Sequence, residues 1–181
     1  MQKIQKNIIL GVTASIAIYK SCSLIRRLRE AGLSVHVVMT KEAQELIKPI
    51  VFSSLSGNRV YSGGLFDSLD TWDIAHINLA AKADLILIAP ATANVIAKLS
   101  CGICDDLLSC TVCASRAQVL IAPAMNENMY THKITQNNIA KLKACGYKFI
   151  SPRKGQLACG VVGAGCLADS AEIVKEVKKL L

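Results

Sequence analysis

The chain has 181 residues, of which 52% are hydrophobic and only 4% aromatic, so it is long and apolar enough to bury a core without disulfides or a metal. Lys and Arg outnumber Asp and Glu by 21 to 13, but they are dispersed, which favours a charged surface over a nucleic-acid site. The apolar runs are too short to span a membrane, the N-terminus lacks a signal-peptide pattern, and eight cysteines in such a chain indicate reduced thiols. We therefore expect a soluble cytoplasmic protein that binds neither nucleic acid nor membrane and forms one domain over residues 1–181.

Short apolar runs alternate with amphipathic segments along the chain. Strands are predicted at 7–13, 34–39, 85–89, 119–122 and 147–150, and helices at 15–31, 93–99, 103–114, 134–145 and the C-terminus. This alternation predicts a three-layer α/β (αβα) domain with a mostly parallel sheet, either flavodoxin-like or Rossmann-like. In such folds ligands bind beyond the carboxyl ends of the strands.

Hydroxyl groups follow the first two predicted strands. Thr13 and Ser15 come after the first strand and Thr40 after the second, each at the start of a predicted helix. Such hydroxyls can help a helix N-terminus to bind phosphate, or they can simply cap the helix. The residues alone leave both interpretations open, since the glycines of a GxGxxG dinucleotide motif are missing.

Two further strands each end in a proline followed by small residues and an asparagine. These segments are PATANV at 90–95 and PAMNENMY at 123–130. They resemble the PASANT and PxMNxxMW motifs of the homo-oligomeric flavin-containing cysteine decarboxylases, with Thr92, Val95 and Tyr130 as mild substitutions. In that family the first motif binds FMN and the second binds the substrate beside the flavin.

The resemblance implies FMN as cofactor and a set of residues around it. Asn126 is expected to hold the substrate carboxylate or amide, with Met129 and Ala158 as further substrate contacts. It also implies a homo-oligomer, either a trimer or a dodecamer, with FMN at the subunit contact. The residues expected around FMN are Thr13, Ala14, Ser15, Thr40, Thr92, Ala93, Asn94, Val95 and Ala124.

Two residues are predicted to be catalytic. His76 lies in a segment similar to the family's HIEL motif, although Asn78 stands where an acidic residue is usual. Without that resemblance, a lone histidine is more often structural; with it, His76 is expected to take a proton or hold a carboxylate. Cys159 lies in a glycine-rich stretch similar to the family's ACGDxGxG flap, although Val161 replaces the aspartate and Cys166 with Leu167 replaces a usual Arg-Met or Ala-Met pair. The glycines predict a mobile flap over the site.

The resemblance also implies a reaction. FMN oxidises the thiol-bearing end of 4′-phosphopantothenoylcysteine to a thioaldehyde, CO2 leaves, and the enethiol is reduced to 4′-phosphopantetheine with Cys159 as proton donor. This is a step of coenzyme A biosynthesis. The peptide-modifying relatives lack this cysteine, which favours the small-molecule substrate. A lantibiotic-type peptidyl-cysteine decarboxylase that releases an aminoenethiol, or a non-catalytic flavoprotein regulator, stays as an alternative.

Two CxxC pairs, at 101–104 and 110–113, raise the question of a zinc site. The five residues between them are fewer than a zinc ribbon needs. A helix through both pairs would point them to roughly opposite sides. No metal site is therefore predicted, and the thiols are interpreted as small side chains packed on a helix.

Overall fold

Six strands form one parallel sheet in the order β3-β2-β1-β4-β5-β6. The structure, a computed structural model, describes residues 5–63, 74–156, 160 and 162–181. This strand order is that of a Rossmann fold, which decides between the two expected topologies and confirms the three-layer α/β prediction. The strands are β1 (Asn7–Val12), β2 (Ser34–Met39), β3 (Val60–Tyr61), β4 (Leu85–Ala91), β5 (Gln118–Pro123) and β6 (Lys148–Phe149).

Helices cover both faces of the sheet. Two of the predicted helices differ from the structure by several residues at their starts. The first helix opens with a 3₁₀ turn, Ile16–Tyr19, and the segment 103–114 is helical only from Leu107. The helices are α1 (Lys20–Glu30), α2 (Ala43–Leu46), α3 (Pro49–Ser56), α4 (Ala75–Lys82), α5 (Ala93–Cys101), α6 (Leu107–Ala114), α7 (Glu127–Thr131), α8 (Lys133–Ala144) and α9 (Ser170–Leu180).

The break between α5 and α6 contradicts one step of the argument against a zinc site. Gly102 adopts a left-handed φ of 68° that ends α5, and Asp106 caps the start of α6. The two CxxC pairs therefore do not share one helix, and the expectation that they point to opposite sides is wrong. Gly102, which ends α5, and Asp106, which caps α6, lie between two apolar segments. Hydrophobic periodicity alone does not detect such helix-end signals.

The central strands are buried on both faces because successive side chains of a strand point in opposite directions. Leu10 and Leu87 pack with α1, α3 and α9, whereas Ile9 and Ile86 pack with α5, α6 and α8. Among the described residues, no helix is both long and apolar enough to cross a bilayer.

The site is positioned by the point at which the strand order reverses. β1 lies between β2 and β4, so the chain leaves β1 toward one edge of the sheet and returns to its other side. A crevice forms at the carboxyl ends of such neighbouring strands. A separate antiparallel hairpin, β7 (Arg153–Gln156) and β8 (Val162–Cys166), follows β6.

Candidate active site

Thr13 links the loops at the carboxyl ends of β1 and β4. Its hydroxyl donates to the Pro90 carbonyl at 2.7 Å and accepts from the Thr92 N–H at 3.1 Å. The Ala124 N–H donates to the Ala91 carbonyl at 2.9 Å and brings in the loop after β5. Thr13 is 2% exposed. The Thr13 hydroxyl therefore joins the loops that form the site. Backbone groups are its partners both as a donor and as an acceptor.

Of the three hydroxyls expected at helix starts, Ser15 caps a helix, whereas Thr13 and Thr40 do not; Thr92, in the PATANV segment, caps α5. The Ser15 side chain accepts from the Ala17 N–H at 3.3 Å, and the Thr92 side chain accepts from the Val95 N–H at 3.3 Å. Thr40 is different, because the residue preceding α2 is Glu42. The Thr40 backbone carbonyl, rather than its hydroxyl, accepts a hydrogen bond from the Ala43 N–H in the following turn. The predicted helix start at Thr40 is therefore wrong.

A cavity of about 510 Å³ opens beside these loops. Ser15, Ala124 and Asn126 line it, as expected of cofactor and substrate contacts. Other lining residues come from the 3₁₀ turn, from the start of α1 and from the hairpin, and the sequence patterns did not single them out as ligand contacts. These are Ile16, Ala17, Tyr19, Lys20, Met125, Gln156, Gly165, Cys166 and Leu167.

The hairpin is attached to the loop after β5. The Met125 N–H donates to the Gly165 carbonyl at 3.0 Å, and the Glu127 carboxylate accepts from the Ala164 N–H at 2.9 Å. A Cβ at Gly165 would collide with the Met125 carbonyl oxygen, and one at Gly163 would collide with the Glu127 carboxylate. These two glycines therefore permit close approach within a strand, which corrects their assignment to a mobile flap.

Three residues that the sequence analysis singled out in the glycine-rich stretch lie outside the described residues. They are Ala158, Cys159 and Val161. Gln156, the last residue of β7, and Cys166, the last residue of β8, both line the cavity.

Asn126 stands at the start of α7, on the floor of the cavity. Its side-chain oxygen accepts from the Asn128 N–H at 2.9 Å, so the side chain caps α7 and is held in place by it. Met129 lies one turn further along α7, is 49% exposed and does not line the cavity.

His76 lies in the first turn of α4, at the carboxyl edge of the sheet, but it does not line the cavity. Its Nδ1 is buried and has no hydrogen-bond partner among the described residues. Leaving such an atom unpaired is costly, and native proteins rarely do so.

The described residues contain no group of three or more His, Cys, Asp or Glu side chains arranged to hold a metal ion. The site therefore has to be understood from its apolar walls, its amide and hydroxyl groups and the cation of Lys20. Residues 1–181 match the Flavoprotein family along their whole length.

The chain belongs to the Flavoprotein family. It is 47% identical over 174 residues to the coenzyme A biosynthesis bifunctional protein CoaBC of Bacillus subtilis, a match that covers 96% of the chain and 43% of that protein. It is 44% identical to the probable phosphopantothenoylcysteine decarboxylase of Streptococcus mutans, covering 97% of the chain and 99% of the relative. The chain thus spans less than half the length of the bifunctional relatives and almost the whole of the shorter one.

Solved structures agree with the sequence matches. A mutant PPC decarboxylase complexed with pantothenoylaminoethenethiol superposes with a TM-score of 0.87 at 28% identity, covering 97% of both chains. The FMN-dependent cysteine decarboxylase SpaF superposes with a TM-score of 0.84 at 29% identity, again covering 97% of both chains.

The other residues expected around the cofactor gather at the same edge of the sheet without lining the cavity. Ala14, Thr40, Ala93 and Asn94 follow β1, β2 or β4. Val95 is 2% exposed, and its side chain packs into the core beneath α5.

Proposed function

We propose that the chain is an FMN-dependent carboxy-lyase that converts 4′-phosphopantothenoylcysteine into 4′-phosphopantetheine in coenzyme A biosynthesis, with residues 1–181 as one flavoprotein domain. The observation that carries this proposal is the match to the Streptococcus mutans relative over nearly the full length of both chains. The proposal covers the decarboxylation and no second activity of the bifunctional relatives.

The cavity fits the proposed cofactor. Its volume of about 510 Å³ lies within the range of small-molecule sites. The walls contributed by Ile16, Ala17 and Ala124 suit a flat apolar ring, while Ser15 and Lys20 offer a hydroxyl and a cation to a phosphate. When bound, FMN supplies the two-electron oxidation that gives the substrate an electron sink for CO2 loss, and later returns the electrons.

The protein groups position the substrate and handle its protons. Asn126, which α7 holds in place, presents an amide to the substrate carboxylate, and Met129 and Ala158 complete the pocket. The His76 imidazole accepts the thiol proton or holds the carboxylate. Cys159 delivers a proton to carbon as the enethiol is reduced. The residues proposed to contact FMN remain Thr13, Ala14, Ser15, Thr40, Thr92, Ala93, Asn94, Val95 and Ala124.

A homo-oligomer, a trimer or a dodecamer with FMN at the subunit contact, is part of the proposal. Apolar side chains at the edge of the sheet support it: Ile16 and Tyr19 are 61% and 60% exposed, and Ile74 and Ile77, on either side of His76, are 58% and 47% exposed. Large apolar side chains grouped in this way mark interaction surfaces. A group from a second copy would also supply a partner for the His76 Nδ1 atom. We propose a cytoplasmic location, which the biosynthetic relatives and the seven unpaired cysteines of the described residues support.

The visible spectrum of the purified protein, followed by CO2 release from 4′-phosphopantothenoylcysteine, tests the proposal. We expect an oxidised-flavin spectrum with one FMN per chain. We also expect the amount of CO2 released to equal the amount of 4′-phosphopantetheine formed. A flavin-loaded protein that releases CO2 only from a peptide with a C-terminal cysteine would assign it to the peptide-modifying class. A flavin-loaded protein that releases none from either would favour the regulator.

The product of Cys159→Ser separates the two halves of the reaction. CO2 loss does not need this thiol, whereas reduction of the enethiol needs a proton donor, and a serine hydroxyl is a far weaker acid than a thiol of ordinary pKa ~8.5. We expect the variant to release CO2 and accumulate the enethiol, two hydrogens lighter than 4′-phosphopantetheine by mass spectrometry. Saturated product at the normal rate would remove Cys159 from the mechanism.

A further inference from the structure

The loop between α5 and α6 holds Cys104 against the side of α6. Gly102 turns the chain back after α5, and Lys98 on α5 then pairs with both carboxylates of the loop, Asp105 at 2.8 Å and Asp106 at 2.9 Å. Asp106 in turn caps α6. The loop is therefore held at both of its ends, and Cys104 lies between them.

Three thiols come together at this loop. The Cys110 thiol donates to the Cys104 carbonyl at 3.2 Å, and the Cys104 thiol donates to the Ser109 carbonyl with a separation of 4.0 Å. In an α-helix the carbonyl of residue 109 faces the N–H of residue 113, and a helical side chain points back over the preceding turn. The Cys113 side chain is thus directed at the turn of α6 against which the Cys104 thiol lies.

The two sulfurs differ in environment. Cys104 is exposed. Cys113 is also an exposed residue, but the loss of solvent around its sulfur, together with the neighbouring Cys104 thiol, raises the pKa of its thiol to about 11. At neutral pH Cys113 is therefore protonated and a slow nucleophile, so a small reagent is attacked first by Cys104.

These thiols lie at the opposite end of the sheet from the cavity. α6 ends shortly before β5 begins, and Tyr147, whose pKa is raised by burial and by the neighbouring thiols, directly precedes β6. The amino ends of the parallel strands are therefore the edge at which the cysteines gather. Chemistry at this edge is separate from the site that Asn126 and Ser15 line.

We propose that Cys104 and Cys113 form a thiol–disulfide site that is oxidised by low-molecular-weight disulfides. The Cys104 thiolate attacks a small disulfide, forming a mixed disulfide and releasing one small thiol. The Cys113 thiolate then attacks the Cys104 sulfur, the protein disulfide forms, and the second small thiol leaves. The protein loses two hydrogens and two electrons in total, and the small disulfide gains them.

Peptide mapping of the full chain tests the proposal. Reduced, desalted protein is incubated with oxidised glutathione, and the remaining thiols are alkylated. Trypsin releases a peptide running from Leu99 to Arg116 that contains Cys101, Cys104, Cys110 and Cys113. A second protease that cleaves before aspartate separates Cys104 from the α6 cysteines. We expect its two fragments to stay joined through Cys104 and Cys113, and dithiothreitol to release them.

Single variants identify the pair. Cys113→Ser should accumulate glutathione on Cys104, because the resolving thiol is gone, and Cys104→Ser should give no joined fragments. Cys110→Ser and Cys101→Ser are matched controls on the same peptide and should keep the linkage. Cys104→Ser should retain its flavin and its rate of CO2 release. A linkage from Cys104 to Cys110 or Cys101, glutathione on Cys104 of the unsubstituted protein without linkage, or stoichiometric zinc on these thiols would overturn the proposal.

Discussion

Replacing Thr13 by valine tests whether this residue serves the frame of the site or the cofactor directly. Valine keeps the shape of the side chain but removes the hydroxyl, so the Pro90 carbonyl and the Thr92 N–H both lose a partner in a region where Thr13 is 2% exposed. An unsatisfied buried group costs about 1–3 kcal/mol, which makes roughly 2–6 kcal/mol for the two together. For a chain of this size, a loss of ~3 kcal/mol lowers Tm by roughly 6–12 °C.

The assay is urea unfolding of the flavin-free protein, followed by far-ultraviolet circular dichroism at one fixed protein concentration, since bound cofactor and assembly both shift apparent stability. Thr13→Ser is the matched control. It keeps the hydroxyl, loses one methyl group, and should cost about 1 kcal/mol. If the valine variant unfolds within ~0.5 kcal/mol of the unsubstituted protein but no longer binds flavin, the structural role argued for the hydroxyl is refuted and a direct cofactor contact takes its place.

Three further predictions concern other parts of the molecule. His76→Asn should abolish CO2 release while flavin absorbance is retained; near-normal turnover would make the histidine structural. Burial opposes ionisation of Asp106, but the Ser109 N–H and Lys98 hold its pKa below the ordinary value. The ionised carboxylate therefore contributes fully to the free energy of unfolding above about pH 4, and this contribution is lost as the pH falls through the lower folded-state pKa. Acid titration of stability should therefore be shallower for Asp106→Asn, and an identical acid limb would contradict this. Gly165→Ala should detach the hairpin from Met125, seen as faster proteolysis near residue 160 with the main sheet intact, whereas unchanged cleavage would show that the strand tolerates a Cβ.

Local patterns were sufficient for five of the six strands of the main sheet and for the edge of the sheet that carries the site, whereas β3, the hairpin strands and the helices α3, α4 and α7 were not predicted. The apolar run at β2 was predicted at its observed limits, and Ser15 caps a helix as its position indicated. These features depend on neighbours within a few residues, and side-chain periodicity and capping chemistry act over that distance. Motif resemblance likewise identified Asn126 at the cavity.

Contacts between distant segments could not be derived in the same way. Lys20 reaches the cavity only because a 3₁₀ turn precedes α1, and Gly165 is needed because the hairpin folds back onto the loop after β5. Val95 was expected to contact the cofactor, yet its side chain packs in the core. Cys104 lies against α6 only because Gly102 and Asp106 divide a segment that hydrophobic periodicity predicts as one helix. Each of these outcomes depends on the register and direction in which elements pack across the sheet. The free energy that stabilises this packing comes from tertiary contacts rather than from the local sequence.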